Sequence, residues 1–325
     1  MKYILNETPI RTTNSFRMND IKLDLEIPTG TTFKSFNGYE NIKYEYDKEI
    51  KSSLGFSTKG TYAYIDINES KDIILECNTD IICNTVINVD KNINSVLTIK
   101  YTGDNYNIQN IIVNTLENSN ITINYINMSS AISLISFENK VEENSTVTNN
   151  IYDLSGQIRV YKYNSDNIGN NSSSYLNSVY LTNNEDILDM NYYISHRGKS
   201  SISNINVVGL LDGESKKSFK GTIDFIEGCS KAIGKEKEES ICLSDKAISS
   251  SMPVLLCHEE DVEGAHGVAN GKIDEDTLFY IESRGLNREE SINLIMHSKF
   301  NKYIELINNE SIKEEIWNYI NKKDQ

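Results

Sequence analysis

A strand-and-turn unit that repeats along the middle of the chain restricts its possible folds more than any other feature. Leu97, Ile99 and Tyr101 alternate with Thr98 and Lys100, and the alternation returns at Ile121, Ile123 and Tyr125 around Thr122 and Asn124, a shift of 24 residues. A serine precedes each set (Ser95, Ser119), and a third serine-led run, Ser145-Thr146-Val147-Thr148, follows Ser119 by 26 residues. Period-two alternation of β-branched and aromatic with polar residues marks half-buried strands. Turn formers such as Thr102-Gly103-Asp104-Asn105 and Asn164-Ser165-Asp166-Asn167 separate the runs. A unit of roughly 20–26 residues made only of strand and turn buries its inner face by stacking on copies of itself. The pattern, running from about residue 62 to 281, predicts a mainly β chain and suggests a right-handed parallel β-helix. Periodicity alone leaves a β-sandwich open beside it, because Asn, Ile, Lys and Tyr share AT-rich codons and genome composition accounts for part of the self-similarity.

The flanks differ. Residues 1–60 form a lead-in with no clear helix and an expected strand over 21–27. After Gly285 the period changes: Asn287 followed by Glu290 makes a capping-box-like start, and Ile292, Ile295, Met296, Tyr303 and Ile307 fall on one side of a helix. Beyond Asn308-Asn309, Ile312, Ile316 and Ile320 repeat at i, i+4. The organisation expected is a lead-in (1–60), a β-helix core (61–285) and a small C-terminal α-helical domain (286–325). The two helices cap the last coil or dock a partner, and exposed solenoid ends favour the cap.

Charge excludes one class of partner. With 32 Lys+Arg against 47 Asp+Glu the net charge is −15, a field that repels nucleic-acid phosphates. Hydrophobic residues make up 38% of the chain, below the ~45–50% of an average globular protein, so a modest core serves a large surface. No apolar run approaches the ~20 residues that span a bilayer, and the start MKYILNETPI is too short in apolar residues for a signal sequence, so a cytoplasmic location with no membrane contact is expected. Cys77, Cys83, Cys229, Cys242 and Cys257 are odd in number and contain no Cys-x-x-Cys pair, which reads as reduced thiols.

The densest polar cluster runs from Cys257 and His258 through Glu259, Glu260, Asp261 and Glu263 to His266 and Gly267. Carboxylates beside imidazole and thiol suit iron or zinc, whereas an acidic surface turn with one hydrogen-bonded histidine explains the same residues without a metal. His196, at a strand end, and His297, beside Met296, read as structural. No phosphate loop, Gly-x-Ser-x-Gly elbow or His-Glu-x-x-His helix is present. A β-helix polysaccharide lyase or hydrolase is a competing class, weakened by the single Trp.

The second half carries an ordered series of blocks: Ser218-Phe219-Lys220-Gly221-Thr222-Ile223, Cys242-Leu243-Ser244-Asp245-Lys246-Ala247, Met252-Pro253-Val254-Leu255, Glu260-Asp261-Val262, Ala265-His266-Gly267, Gly271-Lys272-Ile273-Asp274, and Leu278-Phe279-Tyr280-Ile281-Glu282-Ser283-Arg284-Gly285. Together they closely resemble the SufB/SufD family of iron–sulfur cluster assembly proteins, and Pro9-Ile10-Arg11-Thr12-Thr13 with Met18-Asn19 resembles the start of that family. The resemblance implies a right-handed parallel β-helix whose C-terminal helices dock a SufC-like ATPase, here through Ile292, Ile295, Met296 and Phe300. It implies a non-catalytic scaffold subunit that pairs with a SufB-like chain, or with itself as a homodimer, and handles iron or a transient iron–sulfur cluster at that interface. Whether a flavin joins the complex stays open. SufD-type members fit better than SufB-type, since Ala247 and Gly267 stand where SufB-type chains carry a cysteine and a glutamate. The resemblance then implies His266 as a metal ligand supplied in trans. Gly264 stands where many SufD-type chains have a cysteine, and Cys257, nine residues upstream of His266, is the candidate substitute. Most of the family's N-terminal helical extension is expected to be missing.

Overall fold

The computed structural model describes residues 2–6, 21–24, 27–28 and 33–323. Residues 9–13 and 18–19, part of the resemblance above, lie outside them. Strand β1 (Lys2–Leu5) pairs antiparallel with β2 (Ile21–Asp24), where a strand was expected over 21–27, and β3 (Lys43–Ser52) pairs antiparallel with β4 (Phe56–Ile67). Next come β5 (Asp72–Cys77), β6 (Ile81–Val89), β7 (Asn94–Tyr101), β8 (Tyr106–Thr115), β9 (Asn120–Asn127), β10 (Ile132–Val141), β11 (Thr146–Asp153) and β12 (Ile158–Asn167). They continue as β13 (Ser173–Thr182), β14 (Ile187–His196), β15 (Ile202–Leu211), β16 (Lys216–Phe225), β17 (Ala232–Cys242), β18 (Ile248–Cys257) and β19 (Val262–Lys272). From β4 onward even-numbered strands build one parallel sheet, with β3 at its edge, and odd-numbered strands build the other. Each coil gives one strand to each sheet, and the result is a parallel β-solenoid of about seven turns.

The register explains why the repeat fades in the sequence. Leu97 lies opposite Ile123 rather than Ile121, a shift of 26 residues instead of 24. A slip of two residues keeps every side chain on its face, so the alternation is right although the alignment is not. The coil then lengthens: Thr146 faces Ser173, 27 residues on; Ser173 faces Ile202, 29 on; Ile202 faces Ile233, 31 on.

Asparagine has a structural use here beyond codon bias. Asn92, Asn118, Asn144 and Asn171 occupy the same turn of successive coils at φ of 62°, 60°, 54° and 55°. Asn tolerates this left-handed region better than other side-chain-bearing residues. Each of the last three is followed by a buried serine that donates to a turn carbonyl, as Ser145 Oγ does to Leu116 O (2.8 Å) and Ser172 Oγ to Gly169 O (2.7 Å). Along the strands, the amide of Asn150 donates to Asn124 (2.9 Å), Asn177 to Asn150 (2.9 Å) and Asn206 to Asn177 (3.1 Å), a ladder across four coils.

One turn expectation is corrected. Asn164-Ser165-Asp166-Asn167 lies inside β12. Its polar side chains remain in a strand because partners await them: Ser165 Oγ meets Ser174 Oγ at 2.7 Å, and Asp166 pairs with Arg197 at 2.9 Å.

Three helices follow the solenoid: α1 (Glu275–Glu282), α2 (Arg288–Ile304) and α3 (Glu310–Lys323). The capping box at Asn287 and Glu290 forms as the spacing indicates. Helix α1 starts within the stretch read as β-like up to residue 281, with Asp274 Oδ2 accepting from Thr277 N (3.1 Å) at its start. The expectation of a cap is also corrected. Helices α2 and α3 lie on the outer face of the odd-stranded sheet, packing Met296, Phe300, Ile304, Ile316 and Ile320 against Ile126, Tyr152, Val179 and Val208. Tyr152 Oη donates to Tyr303 O (2.6 Å), and Lys100 bonds Glu315 (3.0 Å). The outer column Ile82, Ile108, Leu134 and Val160 of the even-stranded sheet is covered by Leu5, Ile50, Leu54 and Phe56.

Candidate functional site

With its helices on the side, the solenoid keeps its last coil uncovered. Strands β18 and β19 are the terminal members of their sheets. Nearly all of β19 is exposed, and β18 buries only Val254 fully. Val268 is 38% exposed, where the positions in register with it one and two coils deeper, Glu238 and Val207, are closed.

The chemistry of the lumen changes on approach to this end. One inward column of the odd-stranded sheet reads Leu97, Ile123, Asn149, Leu176, Ile205, then Glu236 and His266. Its neighbour reads Ile99, Tyr125, Ile151, Ser178, Val207, then Glu238 and Val268. On the even-stranded sheet the column Ile111, Phe137, Tyr163, Tyr192 continues as Gly221 and Pro253. In this column the rings end at Tyr192, and a Cβ built on Gly221 would fall on the Glu236 carboxylate that reaches across the lumen. Only glycine leaves room for that carboxylate.

Two carboxylates enter this coil and one cation meets them. Lys217, fully buried, bonds Glu238 and donates to Ser251 Oγ (2.9 Å), and burial pushes its ammonium pKa down against the opposing pull of Glu238. Glu236 is 3% exposed and neither of its oxygens has a hydrogen-bond partner. Burial, with Glu238 adding to it, raises its carboxyl to about 8. Above this layer Ser240 Oγ donates to Asn270 Oδ1 (2.6 Å) and Asn270 Nδ2 to Ser251 Oγ (2.9 Å), joining the two sheets across the opening.

His266 and Cys257 both belong to the open coil. His266 is exposed and in register with Glu236, so it shares that residue's inward face; Cys257 is exposed at the end of β18, in register with the core residue Phe225. Inward Gly264 lies near Leu255 across the lumen, which places His266 and Cys257 about four strand positions apart, ~13 Å at ~3.3 Å per residue. Among the described residues no group of three or more His, Cys, Asp or Glu side chains is disposed to hold a metal ion. The acidic run of the sequence is divided: His258 to Asp261 form the loop before β19, where His258 Nε2 lies 3.9 Å from Asp224.

The remaining residues have structural positions. His196 bonds Ser201 and Ser203 (2.7 Å each), stacks on Phe225, and burial lowers its pKa to about 4. His297 stacks on Trp317 at 3.9 Å between ring centroids. Cys77, Cys83 and Cys229 are buried, and burial pushes the Cys83 thiol up to about 12, far from a reactive thiolate. Met296 and Phe300 are buried against the chain's own sheet and Ile292 and Ile295 are half-buried; the large apolar residues exposed here are Phe279 (73%) and Tyr280 (59%) on α1, Leu294 (50%) on α2 and Leu306 (44%) in the turn before α3. The residues missed from sequence are Lys217, Glu236 and Glu238. The alternation Lys235-Glu236-Lys237-Glu238 held the signal, since period two in a strand sends one of the two charge signs inward.

The SUF system FeS cluster assembly, SufBD core domain family model matches residues 74–299. The chain is similar to the iron–sulfur cluster assembly protein SufD of Bacillus subtilis, 29% identical over 130 residues, which are 40% of this chain and 30% of that protein. It is similar to SufD of Escherichia coli, 21% identical over 174 residues, covering 54% of this chain and 41% of that protein. An iron–sulfur cluster assembly SufBD family protein of Galdieria sulphuraria is 30% identical over 128 residues, 39% of this chain and 58% of the relative. The matched region spans less than half the length of either SufD relative.

Proposed function

The chain belongs to the SufBD family of SUF-system iron–sulfur cluster assembly proteins, and from that premise we propose that it is a non-catalytic, cytoplasmic scaffold subunit that pairs end-on through its open coil. The observation that carries this reading is the uncovered pair β18 and β19. Two strand edges free of neighbours, above a half-exposed interior, form a template for a second solenoid. The partner is a SufB-like subunit, or a second copy of this chain. Iron is the cargo, and His266 supplies an imidazole to it at the junction, with Cys257 the candidate thiolate at the other side of the opening. The spacing of these two residues supports a site completed by the partner, since among the described residues no three such ligands come together.

A SufC-like ATPase docks on the helical region. The face suited to it is Phe279, Tyr280 and Leu294 with the half-buried Ile292 and Ile295, while Met296 and Phe300 hold α2 on the sheet beneath.

Co-expression with a SufB-like subunit and the ATPase, followed by anaerobic iron and acid-labile sulfide analysis, tests the reading. Val268→Lys places a charge on the half-exposed floor of the opening and should weaken pairing about tenfold or more while the melting temperature holds. Phe279→Ala with Tyr280→Ala should release the ATPase and leave pairing intact. Pairing unchanged by Val268→Lys would sink the end-on arrangement.

A further inference from the structure

The orphan carboxylate beneath the opening has a use that the proposed pairing does not supply. A buried carboxyl whose two oxygens both lack a hydrogen-bond partner is costly even as the neutral acid, and such an orphan calls for an explanation such as an ion it binds. Neither oxygen of Glu236 has a hydrogen-bond partner, and Lys217, which shares the lumen with it, is bound to Glu238. Its column position passes in register to His266 on the exposed strand above. In-register neighbours on adjacent strands stand ~4.8 Å apart with side chains on the same face. Two donors on one ion, each ~2.0–2.2 Å from it, lie within that spacing. Oxygen from a carboxylate together with imidazole nitrogen is a donor pair for a divalent first-row metal.

We infer that Glu236 and His266 together form a two-ligand half-site for a divalent transition-metal ion at the mouth of the solenoid, completed by water or by the partner chain. The inference deepens the reading above and rests on it for the identity of the cargo, iron(II). Gly267, next to His266, has no side chain to offer, and the carboxylate nearest in register is that of Glu236 on the adjacent strand, whose group reaches across the lumen into the space that Gly221 leaves.

The test is an anaerobic Co2+ titration of the purified full chain, read by visible absorption and calorimetry, on wild type, Glu236→Gln, His266→Ala and Gly221→Ala. Wild type should show one saturable site. Glu236→Gln and His266→Ala should each weaken it ~10–100-fold, the usual effect of losing a ligand or its support. Gly221→Ala, which displaces the carboxylate but keeps it, should weaken it as well and serves if the glutamine variant folds poorly. No saturable site on wild type, or wild-type affinity in Glu236→Gln, overturns the inference. Unchanged Co2+ affinity with loss of pairing in Glu236→Gln also overturns it, in favour of a cationic side chain of the partner. Cluster assembly by the wild-type complex is scored separately: normal assembly with metal binding indifferent to Glu236 sinks only the half-site, whereas failed pairing with Glu236-dependent Co2+ binding sinks only the scaffold reading.

Discussion

The middle coils and the last coil are made of the same strands yet obey different rules. Between β8 and β15 each inward side chain has a coil above and below it: Phe137 lies 6.2 Å from Tyr163, which lies 6.0 Å from Tyr192, edge and tilted ring contacts that continue to Phe219. Amide side chains in that stretch such as Gln109 and Asn139 keep at least one bond where a single atom is left over: Gln109 donates to Asn107 (2.6 Å) and Asn139 to Asn149 (3.1 Å), although Gln109 Oε1, Asn139 Oδ1 and Asn149 Nδ2 have no partner. At β16 to β19 Gly221 and Pro253 follow Tyr192 in its column, two glutamates enter, and one of them, Glu236, has no bond through either oxygen. A stack of identical units is interchangeable in its interior, whereas an end can specialise because nothing above it must fit.

Stability should follow that division, and the largest effect belongs in the middle. Phe137 is fully buried, so Phe137→Ala is expected to cost about 3–5 kcal/mol of unfolding free energy by chemical denaturation. Val268→Ala, at a position already 38% exposed, should change it by less than about 0.5 kcal/mol. Comparable losses from the two would show that the last coil is as closed as the rest.

A second contrast is electrostatic and comes from a matched group. His196 is buried with both ring nitrogens bonded, and its pKa of about 4 lies below the 6.5 of a free histidine. Between those values the unfolded chain binds a proton that the folded chain refuses, so the stability this residue confers is intact above pH 6.5 and declines as pH falls toward 4. The decline is up to about 3 kcal/mol. Histidine side-chain NMR should find one imidazole neutral down to about pH 4, and His196→Gln should flatten the acid limb of the denaturation curve. An imidazole at position 196 that titrates near 6.5 would remove the sharpest evidence that closed coils leave no polar group to solvent.

How much of this was legible depended on whether a residue's role is local. The alternation at Leu97–Tyr101 and Ile121–Tyr125 is enforced by the pleat within one strand, so it survived a two-residue error in pairing. The capping box at Asn287 is equally local. What could not be read was set between coils: the lengthening of the repeat, the strand character of Asn164–Asn167, which depends on Ser174 and Arg197, and the placement of α2 and α3 on the flank. The amphipathic pattern of those helices states that an apolar face is covered and says nothing of which surface covers it. His266 stood out as an isolated histidine beside a glycine. Glu236 did not, because its significance arises from Ile205 below it, His266 above it and Gly221 opposite.

The smallest effect concerns the turn that every middle coil repeats, and it separates codon bias from structure. If asparagine were abundant only through genome composition, its replacement at Asn144 would matter no more than at any exposed position. Asn144 is exposed, with φ of 54°, and its side chain bonds Asn118 Oδ1 (3.2 Å) and accepts from Asn171 (3.0 Å). Those amide bonds lie in water and contribute little, so the left-handed backbone is the main cost that a substitution exposes. Asn144→Ala should lose about 1 kcal/mol, since a Cβ crowds the following carbonyl there without a side chain to stabilise the turn. Asn144→Gly removes the same hydrogen bonds but accepts the conformation freely, and should stay within about 0.5 kcal/mol of wild type after its unfolded-state entropy is counted. The ordering Gly above Ala is the informative result: it assigns the recurring asparagine to backbone geometry. Equal losses would return it to its amide bonds with Asn118 and Asn171, and no loss in either would leave composition as the explanation.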